Sequence, residues 1–215
     1  EAGEIIKSKL KKEDVFDFQS YENVLLAIKQ KINLDFLQEL NSTQKVAVKE
    51  DTLNKANTLR NERQKANKPK DKYIKDLRVY YSSLPNKALY PYDYMYSEIF
   101  LNLLAREGLM CPTYDHVYIR VSKTFDEALR NSFSAEDWYV YGLAVMDYDR
   151  YQTLSEKEKE AEVFQTILSG LRDIATIDKL DMTLIDKVAN HIKEHGLNTE
   201  LIFKIIENET YKLVI

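Results

Sequence analysis

The sequence predicts an α+β fold, with a mostly helical N-terminal half and a C-terminal half in which a small antiparallel sheet packs against two amphipathic helices. Three observations support this fold class. Ser155 and Glu158 form the Ser-x-x-Glu pattern of a capping box ahead of a long apolar stripe. Residues 116–121 alternate polar and apolar side chains, as a half-buried strand does. Helical and strand-like segments do not alternate regularly, which argues against a doubly wound fold.

The first 60 residues predict several helices in succession. Residues 21–40 carry apolar side chains at helical spacing, with a break expected near Asn33. Ser42 or Thr43 is suited to cap a short helix over residues 44–50. Another short helix is expected to begin at a second cap, either Asp51 or Thr52.

Residues 61–71 contain no large apolar side chain and therefore mark the expected boundary. The chain then divides into a helical region, 1–70, and an α+β domain, 71–215, unless it forms one compact domain. Residues 73–81 resume an amphipathic pattern and are expected to be helical, like the rest of the N-terminal half. Residues 94–109 are expected to be helical, with Gly108 at the position of a C-cap glycine.

In the C-terminal half, strands are expected at residues 116–121 and 138–148, with a short helix between them that Thr124 caps. The capping box starts one long helix, and a second helix ends at Gly196. Two β-like runs near the end of the chain predict a hairpin.

Composition limits the class of protein. Cys111 is the only cysteine, which excludes an intramolecular disulfide framework. No apolar run approaches the roughly 20 residues that cross a bilayer, and the N-terminus lacks the apolar core of a secretory signal. These features predict a cytoplasmic protein without a membrane partner.

The charges are polarised along the chain, although the net charge is only −4. Between Lys55 and Arg78 nine lysines and arginines accompany three acids, whereas between Asp147 and Asp186 ten acids accompany five bases. Each segment suggests a different kind of partner.

The basic segment predicts one alternative function, binding of nucleic acid. Arg60, Arg63 and Lys65 would bind the nucleic acid from short helices that loosely resemble a helix-turn-helix element. Against this, the usual glycine-containing turn is absent and the overall charge is acidic. Solvation of a charged helix face explains the same residues.

His191 and His195 belong to an H-x-x-E-H pattern, which in zinc hydrolases places two histidines on one helix face. Here the pair lies in the last helical turn, where the helix dipole favours cations, and Lys193 stands between the two histidines. The sequence also leaves no room for a downstream acidic ligand. We therefore predict no metal site.

No phosphate-binding loop, dinucleotide fingerprint or nucleophile elbow occurs in the chain. The sequence therefore predicts no catalytic residue, no cofactor and no small-molecule ligand. The acids that open the long helix alternate along the chain, so they do not converge on one ion, and the helix dipole explains their position. As a patch they are suited to a basic protein partner.

Residues 138–181 resemble the middle of bacterial immunity proteins, which accompany polymorphic or contact-dependent toxins. The resemblance consists of an aromatic strand that ends near Asp-Tyr, a Tyr-x-x-Leu step, a Lys/Glu-rich helix start, a Gly-Leu helix and an acidic loop. The matching residues are Trp138, Tyr141, Asp147, Tyr148, Tyr151, Leu154, Lys157, Lys159, Gly170, Leu171 and Asp181, with flanking strands around Val117 and Tyr211.

The resemblance implies a cytoplasmic, non-enzymatic inhibitor that binds one cognate protein toxin. Surface acids and aromatic residues around the second strand and the following helix would contact the toxin. The expected partner-binding residues are Asp147, Asp149, Tyr151, Glu156 and Glu160.

Overall fold

The computed structural model describes residues 34–132, 137–201, 205–207 and 212–214. Contacts divide the chain into two units, Glu1–Asp51 and Thr52–Ile215. The expected boundary near residue 70 therefore falls inside the second unit. The helix expected over residues 21–33 lies outside the described residues.

One continuous helix, α1, runs from Leu34 to Lys65. The prediction of breaks near Ser42 and Asp51 was wrong. This stretch contains neither glycine nor proline and is rich in Leu, Lys, Gln and Glu, which favour helix, so the polar residues lie inside the helix without ending it.

The central sheet is parallel, with three strands in the order β2-β4-β5. These strands span Asp76–Tyr81, His116–Ser122 and Tyr139–Val145. The antiparallel prediction was wrong for this sheet, because helices connect its strands and return the chain to the same end. The connecting helices are α2, Tyr92–Arg106, and α3, Phe125–Arg130.

Residues 73–81 are extended, which corrects their place in the helical half. Strand β1, Lys72–Tyr73, pairs antiparallel with β3, Met110–Cys111, and β2 follows β1 directly. The apolar residues Ile74, Leu77 and Tyr81 are spaced as in a helix, although they lie in an extended segment. Over so few residues the spacing of apolar side chains does not distinguish a helix from a strand.

Three elements after β5 are helical: α4, Tyr148–Thr153, α5, Glu156–Asp178, and α6, Met182–His195, which a 3₁₀ turn follows. The capping box at Ser155 is confirmed, since Glu158 Oε2 accepts the Ser155 amide at 2.9 Å. The Thr124 cap is also confirmed. The terminal hairpin pairs β6, Ile205–Glu207, antiparallel with β7, Lys212–Val214. Of the helices that the structure describes, none is long and apolar enough to cross a membrane.

The main core lies on one face of the sheet, under α2, α5 and α6. Val117, Ile119 and Val121 point into it from the central strand, and Phe100 of α2 stacks on Phe164 of α5 with ring centroids 5.6 Å apart. A smaller cluster on the opposite face joins Leu143 to α3 and to Ala56 of α1.

Two glycines bring the backbones of α5 and β5 into direct contact. A Cβ atom on Gly142 would lie 2.2 Å from the Gly170 carbonyl oxygen, and one on Gly170 would lie 2.5 Å from Cγ2 of Ile119. Any larger residue at either position would push the helix away from the sheet.

We predict that Gly170→Ala destabilises the protein by about 1–3 kcal/mol, the usual cost of overpacking a core. Elsewhere in a helix the same change would stabilise by about 1 kcal/mol. Urea unfolding checks this, with Ser169→Ala on the exposed side of α5 as the neutral control. An unchanged or increased free energy of unfolding for Gly170→Ala would show that the close contact is absent.

Candidate binding surface

Carboxylates gather beyond the carboxyl ends of the parallel strands, where open α/β sheets usually bind their ligands. We call Asp93, Asp147, Asp149, Glu156 and Glu160 the acidic end of the sheet. Asp147 caps α4 by accepting the Arg150 amide at 3.0 Å, directly after β5. The Asp149 side chain is 79% exposed and pairs with Lys123, the residue after β4, at 3.1 Å.

Tyrosine hydroxyls hold the other three carboxylates in place. Tyr81, the last residue of β2, donates to Asp93. Tyr92 donates to Glu156 at 3.1 Å and Tyr96 to Glu160 at 2.8 Å, which joins α2 to the first turns of α5. Lys159 and then Tyr92 lower the pKa of Glu156, because both donate hydrogen bonds to its charged form. These hydrogen bonds restrain Asp93, Glu156 and Glu160 in the free protein.

Exposed apolar side chains lie at the start of α2 and just before it. Tyr94 is 63% exposed and Tyr90 is 61% exposed, on either side of Tyr92, and Met95 is also exposed. Tyrosine and methionine are enriched at protein interfaces.

Tyr151 corrects one expectation about this surface. Its side chain is only 5% exposed and belongs to the main core, so it is not available to a partner. Burial is the main cause that raises the pKa of Tyr151 to about 12, so the hydroxyl stays neutral. Asp147, Asp149 and Glu156 are exposed as expected, and Glu160 is half-buried.

The sheet face opposite the main core carries a cluster of aromatic side chains. We call Tyr80, Tyr118, Trp138, Tyr139 and Tyr141, together with Arg120, the aromatic sheet face. Tyr118 lies at its centre, with ring centroids 5.1 to 6.5 Å from those of the other four. The Arg120 guanidinium lies over the rings of Tyr141 and Tyr80, at 4.4 and 5.4 Å from their centroids.

Sequence reasoning missed this face, although the signal was present. Tyr139 and Tyr141 alternate along β5, Tyr118 and Arg120 alternate along β4, and Arg78 and Tyr80 alternate along β2. Only the parallel register places these alternating residues side by side, for example Tyr118 beside Arg78 and Tyr141.

Two of the three basic residues predicted to bind nucleic acid are held in ion pairs. Arg60 forms a two-pronged pair with Asp173, and each side chain is 16% exposed. Arg63 Nε donates to Asp178 at 3.1 Å. Lys65 is exposed. Reading nucleic acid with Arg60 or Arg63 would require these pairs to break.

His191 and His195 lie on an exposed helix face, with ring centroids 4.4 Å apart. His195 Nδ1 lies 2.8 Å from the His191 carbonyl oxygen, so one ring nitrogen is engaged at the helix end. Among the described residues, no group of three or more potential metal ligands is present here or elsewhere.

Cys111 is fully buried. Burial is the main cause that raises the pKa of its thiol to about 12, and the charges of Asp178 and Asp115 add to the rise. The thiolate is the nucleophilic form, so this cysteine is held in its unreactive form.

We expect Cys111 in the folded protein to resist a disulfide-exchange reagent at about pH 8, where an ordinary exposed thiol reacts within minutes. Absorbance of the released thiolate measures the reaction. The same protein in guanidinium chloride is the control and should react with one equivalent. Fast reaction of the folded protein would contradict this burial.

No protein-family model, curated protein or solved structure matches this chain.

Proposed function

We propose that this chain is a non-enzymatic, cytoplasmic inhibitor that binds one basic protein, as bacterial immunity proteins bind their cognate toxins. The acidic end of the sheet would contact that protein. The sequence resemblance of residues 138–181 supports the class of partner, and the fixed carboxylates support the location of the interface.

The observation that carries the proposal is the set of hydroxyl-to-carboxylate bonds between α2 and α5. Tyr92 and Tyr96 hold Glu156 and Glu160 through hydrogen bonds that add no positive charge, and Lys159 also pairs with Glu156 at 2.9 Å. Side chains that are already ordered lose less entropy on binding. Their charges also accelerate encounter with a basic partner.

Aromatic anchors beside these charges would supply most of the binding energy. Tyr94 and Tyr90 expose more than half of their surface, and both flank Tyr92 along the chain. Truncating a buried tyrosine at the centre of an interface to alanine typically costs about 2 kcal/mol or more of binding free energy. Roughly that loss of binding free energy is expected for Tyr94→Ala. The acids would then govern association rate and specificity.

The alternative, nucleic-acid binding by α1, has less support, because Asp173 and Asp178 already occupy Arg60 and Arg63. Of Arg60, Arg63 and Lys65, only Lys65 is exposed. One phosphate contact provides little affinity, since binding grows with the number of phosphates neutralised.

We predict that the double variant Asp149→Lys and Glu156→Lys weakens binding of the partner at least about tenfold, mainly through slower association. Each charge lies in the first turn of a helix, so each reversal costs roughly 1 kcal/mol or less of stability through the helix dipole. The partner is first isolated by pull-down from the source cells, with the product of the adjacent gene included as a candidate. Association and dissociation rates are then measured by biolayer interferometry.

Asp71→Lys is the matched control, because Asp71 is an exposed acid in the loop before β1. This substitution changes the net charge by as much as either substitution of the double variant. It should leave the binding rates nearly unchanged. Equal rates for the double variant and the wild type would refute the acidic interface. Failure of the wild type to protect cells against the captured protein would refute inhibition.

A further inference from the structure

The aromatic sheet face remains outside the proposed inhibitory surface and has its own chemistry. Trp138 is the only tryptophan in the chain and is 48% exposed. Its ring contacts Tyr139 at 4.6 Å and His116 at 5.0 Å between centroids, so it folds onto the same face as the tyrosines. Tyr118 beneath them is 7% exposed and supports the cluster.

Two carboxylates on this face, Asp76 and Asp115, are held in ion pairs. Asp76 pairs with Arg78 at 2.8 Å, and Asp115 pairs with Lys75 at 2.7 Å and with His116 at 2.6 Å. Arg120 has no carboxylate within ion-pair distance in the part of the chain that the structure describes. The face therefore combines aromatic rings with an uncompensated cation.

A cleft of about 380 Å³ adjoins the aromatic sheet face, within the usual size range of ligand pockets. Tyr139 and Tyr141 form one wall, and the Arg60–Arg63 turn of α1 forms the other. Lys68 lies at its border, and the exposed Asp137 is a carboxylate beside Trp138. A planar ring that rests on Tyr141 would have room to enter this cleft.

We propose that the aromatic sheet face binds single-stranded nucleic acid. Bases would stack on Trp138, Tyr139 and Tyr141. Phosphates would meet Arg120 and also Arg78, whose side chain stays 62% exposed in its pair with Asp76, unlike the mostly buried Arg60. Unstacked bases and a polyanionic backbone match aromatic rings beside cations, which is how proteins bind single strands without reading their sequence. A duplex keeps its bases stacked inside and cannot use these rings.

Charge favours nucleic acid over a basic protein as the occupant. A basic protein would meet the charge of Arg120, and Asp76 and Asp115 are already held in ion pairs, which leaves it Asp137 at the border of this face. The acidic end of the sheet shares no residue with the aromatic sheet face. Each of the two proposals can therefore be tested without the other.

Trp138 makes the proposal directly measurable, because its emission reports only on this face. A mixed-sequence single-stranded oligonucleotide of about 12 nucleotides, as RNA and as DNA, is titrated into the full chain at low salt. We expect Trp138 emission to be quenched, with a dissociation constant of about 1–100 µM. The logarithm of the association constant should fall with the logarithm of salt concentration with a slope of about −1 to −2, as expected for two contacted phosphates.

Anisotropy of a labelled oligonucleotide then tests the residues. Tyr141→Ala and Trp138→Ala should each weaken binding about fivefold or more, because each removes a stacking surface. Asp137→Asn should strengthen binding, because it removes a repelling carboxylate. Tyr73→Ala is the matched control, an exposed tyrosine on β1 that belongs to neither proposed surface, and should bind as the wild type does. Circular dichroism and urea unfolding confirm that each variant is folded.

Three results would overturn the proposal. The first is the absence of binding by the folded wild-type chain at low salt. The second is binding without quenching of Trp138, which would place the nucleic acid elsewhere, such as on the lysines near Lys65. The third is quenching of Trp138 by the captured protein partner but not by any oligonucleotide, which would make this face a protein interface.

Discussion

The carboxylate of Asp173 joins three parts of the second unit. It accepts the backbone amide of Leu143 on the edge strand β5 at 2.9 Å, and it pairs with Arg60 of α1. An edge strand otherwise presents unpaired amides that invite association with other chains. Because Asp173 projects from α5, the same residue fixes the long helix, the sheet edge and the end of α1. Replacing either partner would leave a mostly buried charge without compensation.

This arrangement determines which surfaces remain free. Gly142 and Gly170 let α5 approach β5 closely on the core side, and α1 lies beside β5 on the other side, so the aromatic sheet face is left between α1 and β2. At the carboxyl ends of the strands, hydroxyls from α2 hold the acids of α5. The molecule therefore offers two chemically opposite surfaces, one of fixed carboxylates and one of aromatic rings with a cation.

Local signals were enough to predict some elements but not their assembly. The capping box at Ser155 and the alternation at residues 116–121 depend on neighbouring residues, so both were visible in the sequence. The continuity of α1 was not, because a polar residue inside a helix resembles a cap. Strand β2 was counted as helical since its few apolar residues fit both periods. Parallel pairing, the burial of Tyr151 and the aromatic sheet face depend on contacts between distant residues, which no local pattern encodes.

Amide hydrogen exchange at Leu143 tests most directly whether Asp173 closes the edge of the sheet. Nuclear magnetic resonance of the full chain follows Leu143, with Ile119 in the central strand as the reference for global unfolding. The structure predicts that the Leu143 amide is protected in the wild type and that Asp173→Ala removes much of this protection while Ile119 stays protected. Rapid exchange of Leu143 in the wild type, or equal protection in Asp173→Ala, would contradict the account.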